Sequence, residues 1–330
     1  MANNFVRLTE EEKLLVNGKP AKDFIGHRKI FFGISLAVIL IGIICNFIFG
    51  TTMDIQFTGG SMIKYSYTGE LDNAKLRNLV QTATPDNIVT FSESQDMVNN
   101  KNVLTVQFSG NTTITTDLQK SITDSIQKEF PNNNFKMEQN SSVDATMGFS
   151  FLLKCLVAVA IAAILMVLYV TLRFKKIGGL SAGIFGLVAL FHDIAIIYFF
   201  YVIFRMPIDS SFMAVALMIL GYSLNDTVVV YDRVREERKR IGYKADIKDV
   251  FNVAASKVMR RTIITSVTTI AAVVIVYILA IFYNLDSVKA FALPMIVGLV
   301  SGCYSSLCIA GPLWVMWKKR QEKKETKSTK

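Results

Sequence analysis

The chain has 330 residues, 52% of them apolar and only 19% charged, yet its formal net charge is +10. A soluble domain carries about a quarter charged residues. The balance therefore excludes a soluble nucleic-acid binder and fits a membrane protein whose few charges lie outside the bilayer and are mostly basic. Only two histidines, His27 and His192, are present, which excludes a multi-histidine metal site. The four cysteines all fall in apolar runs without CxxC spacing. Phosphate-loop and HExxH patterns are absent, and nothing in the chain calls for a cofactor.

In chain order, a polar N-terminal segment (1–29) precedes a first apolar span at 30–49. That span lacks a small-residue cleavage site and reads as a retained signal anchor. Residues 50–148 form a region long enough for a small domain. Alternating β-branched and aromatic residues predict a strand at 55–67, and a helix follows at 72–82. Strands are expected at 87–93 and 103–108, with a polar turn at Asn99-Asn100 between them. A helix at 113–130, stopped by Pro131, leads to a last strand at 135–143. The order β-α-β-β-α-β is that of a ferredoxin-like α+β domain. Five further spans, each long enough for about 30 Å of hydrocarbon, lie at 149–172, 178–204, 208–231, 262–282 and 290–317. The fold class is thus an integral membrane protein of six transmembrane helices with one small α+β domain. A basic loop at 232–261 and a basic tail at 318–330 complete the chain, and an amphipathic stretch at 247–258 is expected to lie on the membrane surface.

Of the 36 Lys and Arg residues, 26 fall in the N-terminal segment, the 173–177 turn, the 232–261 loop and the tail. The 50–148 region holds seven basic against eleven acidic residues. By the positive-inside rule both termini and the basic loops are cytoplasmic and residues 50–148 are extracytoplasmic.

Ionisable residues inside spans mark bundle interiors or ion pathways. Asp193 follows Gly179, Gly183, Gly186 and Leu190 on one helical face of span three. Asp226 and Asn225 lie in span four, where Ala214, Met218, Gly221 and Asn225 share a stripe. Arg261 opens span five, with Thr265, Thr268 and Ala272 continuing its face. Each has a plainer reading. Asp193 would be a hydrogen-bond partner between helices, Asp226 a hydrated packing acid, and Arg261 an interfacial anchor. Together, two intramembrane acids and an arginine suit a proton-coupled conformational machine. The Gly298 and Gly302 pair in span six reads as a helix-packing motif.

The string Gly221-Tyr222-Ser223-Leu224-Asn225-Asp226-Thr227-Val228-Val229-Val230-Tyr231-Asp232-Arg233-Val234-Arg235-Glu236 closely resembles the signature of the SecF family of protein-export membrane subunits. Asp54-Ile55-Gln56-Phe57-Thr58-Gly59-Gly60 resembles the same family's segment after span one, with Gln56 where the family often has an acid. Phe251-Asn252, Arg261-Thr262-Ile263-Ile264-Thr265-Ser266 and His192-Asp193 also match. The resemblance implies a fold like the resistance-nodulation-division transporters and residence in the bacterial inner membrane. It implies partnership with SecD, attachment to the SecYEG translocon, contact with the translocating preprotein, and use of the proton-motive force after the ATP-driven SecA motor has acted. It implies functional roles for Asp226 and Arg261, with Asp193 third. No catalytic residue is implied. Gly59 and Gly60 are then expected to form a coupling joint between membrane and domain, or a plain tight turn. A small-solute transporter of the same superfamily and a structural scaffold of the translocon remain alternatives. Lipid is an expected partner; nucleic acid is not.

Overall fold

A computed structural model describes residues 14–16, 18–85, 88–96, 101–109, 114–242, 245–283 and 285–328. A two-stranded hairpin, β1 (Leu15–Val16) and β2 (Lys19–Pro20), opens it. The first long helix, α1 (Arg28–Phe49), is 22 residues of nearly unbroken apolar sequence. At 1.5 Å per residue that length spans a hydrocarbon core. Most of its Ile side chains face outward, as does Phe47 at 86% exposed, as a lipid-facing surface requires.

A short helix, α2 (Ile55–Thr58), follows where the alternation predicts strand. Asp54 caps it by accepting the Gln56 N–H, and Gly59, at φ +74°, ends it. The strand β3 therefore begins at Gly60 and runs to Tyr67. Helix α3 (Asn73–Ala83), strands β4 (Ile88–Asp96) and β5 (Lys101–Ser109), helix α4 (Thr116–Glu129) and strand β6 (Lys136–Val143) complete the domain. The expected Asn99-Asn100 turn lies outside the described residues. The sheet is antiparallel in the order β4-β5-β3-β6, the ferredoxin-like arrangement. Ile63 and Tyr65 of β3 and Leu104, Val106 and Phe108 of β5 are fully buried with Leu76 and Val80 of α3 and Ile122 and Ile126 of α4. The 3.6-residue and two-residue periods thus meet in one core. The capping residues are those that satisfy free N–H groups, Asp72 on α3 and Thr115 on α4.

Five further membrane-length helical stretches form the bundle: α5 (Ala145–Arg173), α6 (Gly179–Ile203), α7 (Ser210–Ile241), α8 (Ile247–Phe282), and a rod made of α9 (Asp286–Ser305), a π-helical turn at Ser306–Ala310, and α10 (Gly311–Ser328). The small-residue face of α6 is buried from Gly179 through Gly183, Gly186 and Leu190 to Asp193. Gly298 lets α9 approach α6 and α7, because a Cβ there would press on Ile219 and Ile197.

Much of the 232–261 segment is helical: α7 runs on to Ile241 and α8 begins at Ile247. The apolar side of 247–258 packs on protein instead of the membrane surface. Val250, Phe251 and Ala254 are fully buried beside Val234, Trp314 and Val315. Gly311 makes this possible, since a Cβ there would overlap the Phe251 ring. A charged clasp holds the two helices. Glu237 is fully buried and meets Arg233 at 2.8 Å, Arg240 at 2.6 Å and Lys257 at 2.7 Å. The N-terminal segment docks on the same part of α8. Asn252 Nδ2 donates to Asp23 at 2.8 Å, the Ile25 N–H donates to Asn252 Oδ1, and Phe24 and Ile25 are buried.

Candidate functional site

Three sets of polar residues converge along α7. Near its centre, Asp193 of α6 is 0% exposed and caged. Ser301 Oγ donates to its Oδ1 at 2.6 Å, while Ser305 and Ser223 donate to Oδ2 at 2.7 and 3.0 Å. His192 Nδ1 lies 3.2 Å from Oδ1. A desolvated carboxylate needs this many donors. The spacing supplies them: Ser301 and Ser305 are one helical turn apart on α9, and Gly302 between them lets Ser223 come close. The π turn then gives Ser306 different partners. Its hydroxyl donates to Gly302 O at 2.9 Å and accepts from Thr227 Oγ1 at 3.1 Å. The hydroxyl network around Asp193 thus ends one residue from Asp226.

Asp226 is 5% exposed, and its Oδ2 is buried with no hydrogen-bond partner among the described residues. Arg261, from α8, acts on it electrostatically without a direct ion pair. Thr262 Oγ1 and Ser266 Oγ, one turn apart on α8, are likewise buried and unpartnered among the described residues. Cys303 of α9 lies beside Ser266 and within electrostatic reach of Asp226. Burial opposes the charged form of a carboxylate and a nearby cation favours it. A carboxylate under both influences, with one oxygen uncommitted, is suited to take up and release a proton.

The third set lies at the opposite end of α7, where the chain enters the sheet domain. Asp54 accepts the Gln56 N–H at 2.9 Å and Gln107 Nε2 of β5 at 2.8 Å. Its own N–H donates to Ile208 O, and the Ile208 N–H donates to Thr52 O. Gln56 Oε1 accepts from the Ser210 N–H at the start of α7. Burial pushes the Asp54 carboxyl above the usual range, opposed by the Gln56 N–H and reinforced by the charge of Asp209. Gly59 and Gly60 have φ of +74° and +122°, and a Cβ on Gly60 would overlap the Phe108 carbonyl oxygen. Gly148 packs against Gly59, and Phe57 stacks on Phe151 of α5 at 5.6 Å. Both glycines are thus required by the backbone.

The structure places Arg261 within electrostatic reach of Asp226 and Asp193 in a cage of its own. It does not bring Asn225 to them. One residue on an α-helix is a turn of about 100°, so Asn225 shares an exposed stripe with Ala214, Met218 and Gly221 while Asp226 faces inward. Thr265, Thr268 and Ala272 are exposed as well; the inward residues of α8 are Thr262 and Ser266. The string Gly179-Leu180-Ser181-Ala182-Gly183 has G-x-S-x-G spacing, but Ser181 Oγ donates to Gly178 O and accepts from Trp314 Nε1. Among the described residues no base is bonded to it.

Comparison with known proteins follows the same lines. The model of the SecD/SecF protein export membrane protein C-terminal family matches residues 122–320. The protein translocase subunit SecF of Alicyclobacillus acidocaldarius is 32% identical over 94% of this chain and 98% of its own length. The protein translocase subunit SecDF of Bacillus subtilis is 31% identical over 92% of this chain but only 39% of its own. The crystal structure of SecDF from Thermus thermophilus superposes with a TM-score of 0.75 at 22% identity, covering 92% of this chain and 40% of that one. That likeness is one of fold.

Proposed function

The chain belongs to the SecD/SecF family of protein-export membrane proteins, and on that premise we propose that it is a multi-pass subunit of the Sec export machinery that converts the proton-motive force into late preprotein movement. The observation that carries this reading is Asp226: a buried carboxylate with one uncommitted oxygen, under the charge of Arg261, where α7, α8 and α9 meet. Protonation from one side and release to the other would change the charge at this junction. Because α7 also begins at the Asp54 joint, a shift of α7 would reach the sheet domain. Asp193, held by four partners, serves to position α6 against α7 and α9.

Relatives named SecDF are about two and a half times the length of this chain and carry both names in one polypeptide. A separate SecD subunit would supply the remainder here, with SecYEG as the channel that the pair serves. The basic ends of α7 and α8 and both termini face the cytoplasm, and residues 50–148 face outward to meet the emerging preprotein. The acting residues hold and move a proton and leave covalent bonds untouched.

The test is preprotein export from inverted membrane vesicles with and without a proton gradient. Asp226→Asn, present at the wild-type level, is expected to abolish the stimulation by the gradient and leave the ATP-driven step intact. Export by Asp226→Asn that still responds fully to the gradient would reduce the subunit to a scaffold.

A further inference from the structure

Where α5 ends and α7 and α8 leave the apolar part of their spans, a cavity of about 720 Å3 opens between the three helices. Two kinds of wall meet in it. Val228, Val229, Val258 and Tyr169 form an apolar side. Tyr169 is continuous along α5 with Leu165, Leu168 and Leu172, all more than half exposed, so this side opens onto the surface that faces lipid. The other wall carries Arg173, Arg233, Lys257, Arg260 and Arg261 against the carboxylates Asp232 and Glu236.

The carboxylates are already engaged. Asp232 accepts from Arg235 at 2.7 Å and lies 3.4 Å from Arg173. Glu236 pairs with Arg233 at 2.7 Å, and Lys257 is committed to Glu237. Among the described residues Arg260 has no ion-pair or hydrogen-bond partner, and Arg261 meets only the field of Asp226. The cavity therefore holds uncompensated guanidinium charge beside an apolar wall. A guanidinium fork matches the oxygens of a phosphate group, and positive charge at the membrane surface favours anionic headgroups.

We propose that this cavity binds the headgroup of an anionic phospholipid, its phosphate on Arg260 and its acyl chains along Tyr169 and Leu165 of α5. A free phosphate ion shares the polar chemistry but makes no use of the apolar wall.

Native mass spectrometry of the full chain in neutral detergent, titrated with phosphatidylglycerol, phosphatidylcholine or inorganic phosphate, separates these sources. Phosphatidylglycerol is expected to bind tighter than phosphatidylcholine. Arg260→Gln should weaken it about five-fold, the effect of one basic residue at a lipid surface, and Arg260→Lys, which keeps the charge but loses the fork, should fall between wild type and Arg260→Gln. Phosphatidylglycerol binding unchanged in Arg260→Gln, or equal to that of phosphatidylcholine, overturns the proposal. So does inorganic phosphate that displaces the lipid at equal concentration. Unfolding of each variant without lipid, followed by tryptophan fluorescence, controls for the fold. No transport enters the readout, so the site stands or falls separately from proton coupling.

Discussion

Replacing Ser301 and Ser305 by alanine, singly and together, removes donors from a carboxylate that has no access to water. Asp193 is fully buried and accepts from Ser301 at 2.6 Å, Ser305 at 2.7 Å and Ser223 at 3.0 Å. Leaving a buried acceptor without its donor costs about 1–3 kcal/mol, since no solvent replaces it. Each single variant should therefore lose about 2 kcal/mol, and the double at least about 3 kcal/mol. Asp193→Asn should cost less than the double. Its amide can donate to one serine hydroxyl and accept from another, since a hydroxyl does both. The assay is unfolding in mixed micelles of a mild detergent and dodecyl sulfate, followed by tryptophan fluorescence. Trp314 is fully buried in the bundle and reports on it. A double variant within about 0.5 kcal/mol of wild type, a surface-like effect, would refute the hydroxyl cage around Asp193.

Three further outcomes follow from the geometry. Glu237→Leu removes the buried carboxylate that Arg233, Arg240 and Lys257 share; thermal unfolding should show a loss of about 3 kcal/mol, and an unchanged melt would argue against the clasp. Gly60→Ala should destabilise the sheet domain by about 2 kcal/mol, because φ is +122° and the methyl would overlap the Phe108 carbonyl; limited proteolysis of residues 50–148 reads this. The Asp54 carboxyl is raised in the folded state by burial. The native joint therefore binds the proton more tightly than the unfolded chain, and stability falls as pH rises from 3.8 through the raised value. Amide exchange at Gly59, corrected for its intrinsic rate, should be slower on the acid side of that window, and Asp54→Asn should flatten the dependence.

Much of this was legible in the sequence because the membrane imposes strong rules. Six apolar runs, the sorting of lysine and arginine, and the small-residue face ending in Asp193 each follow from avoiding buried charge and exposed backbone. The parts that escaped are those set by partners distant in the chain. Ser301 and Ser305 look like minor polar breaks in an apolar run until Asp193, more than 100 residues earlier, is placed between them. Asp54 and Gln107 are 53 residues apart, and no local period links them. The apolar side of 247–258 has an amphipathic pattern that lipid and protein satisfy equally well. Only Gly311, which admits the Phe251 ring, decides for protein. At Ile55, β-branched and aromatic residues favour strand, but the Asp54 cap and Gly59 stop make one helical turn first.

The wide turn at Ser306–Ala310 acts as a dislocation in an otherwise continuous rod. It inserts a residue into the helical phase, so the half bearing Leu299, Gly302 and Ser305 and the half bearing Gly311 and Trp314 can each meet its own neighbours. A turn placed one residue nearer the N-terminus would set Ser305 about 100° round the rod, away from Asp193. As it stands, the turn divides two adjacent serines between the two neighbourhoods, Ser305 to Asp193 and Ser306 to Thr227.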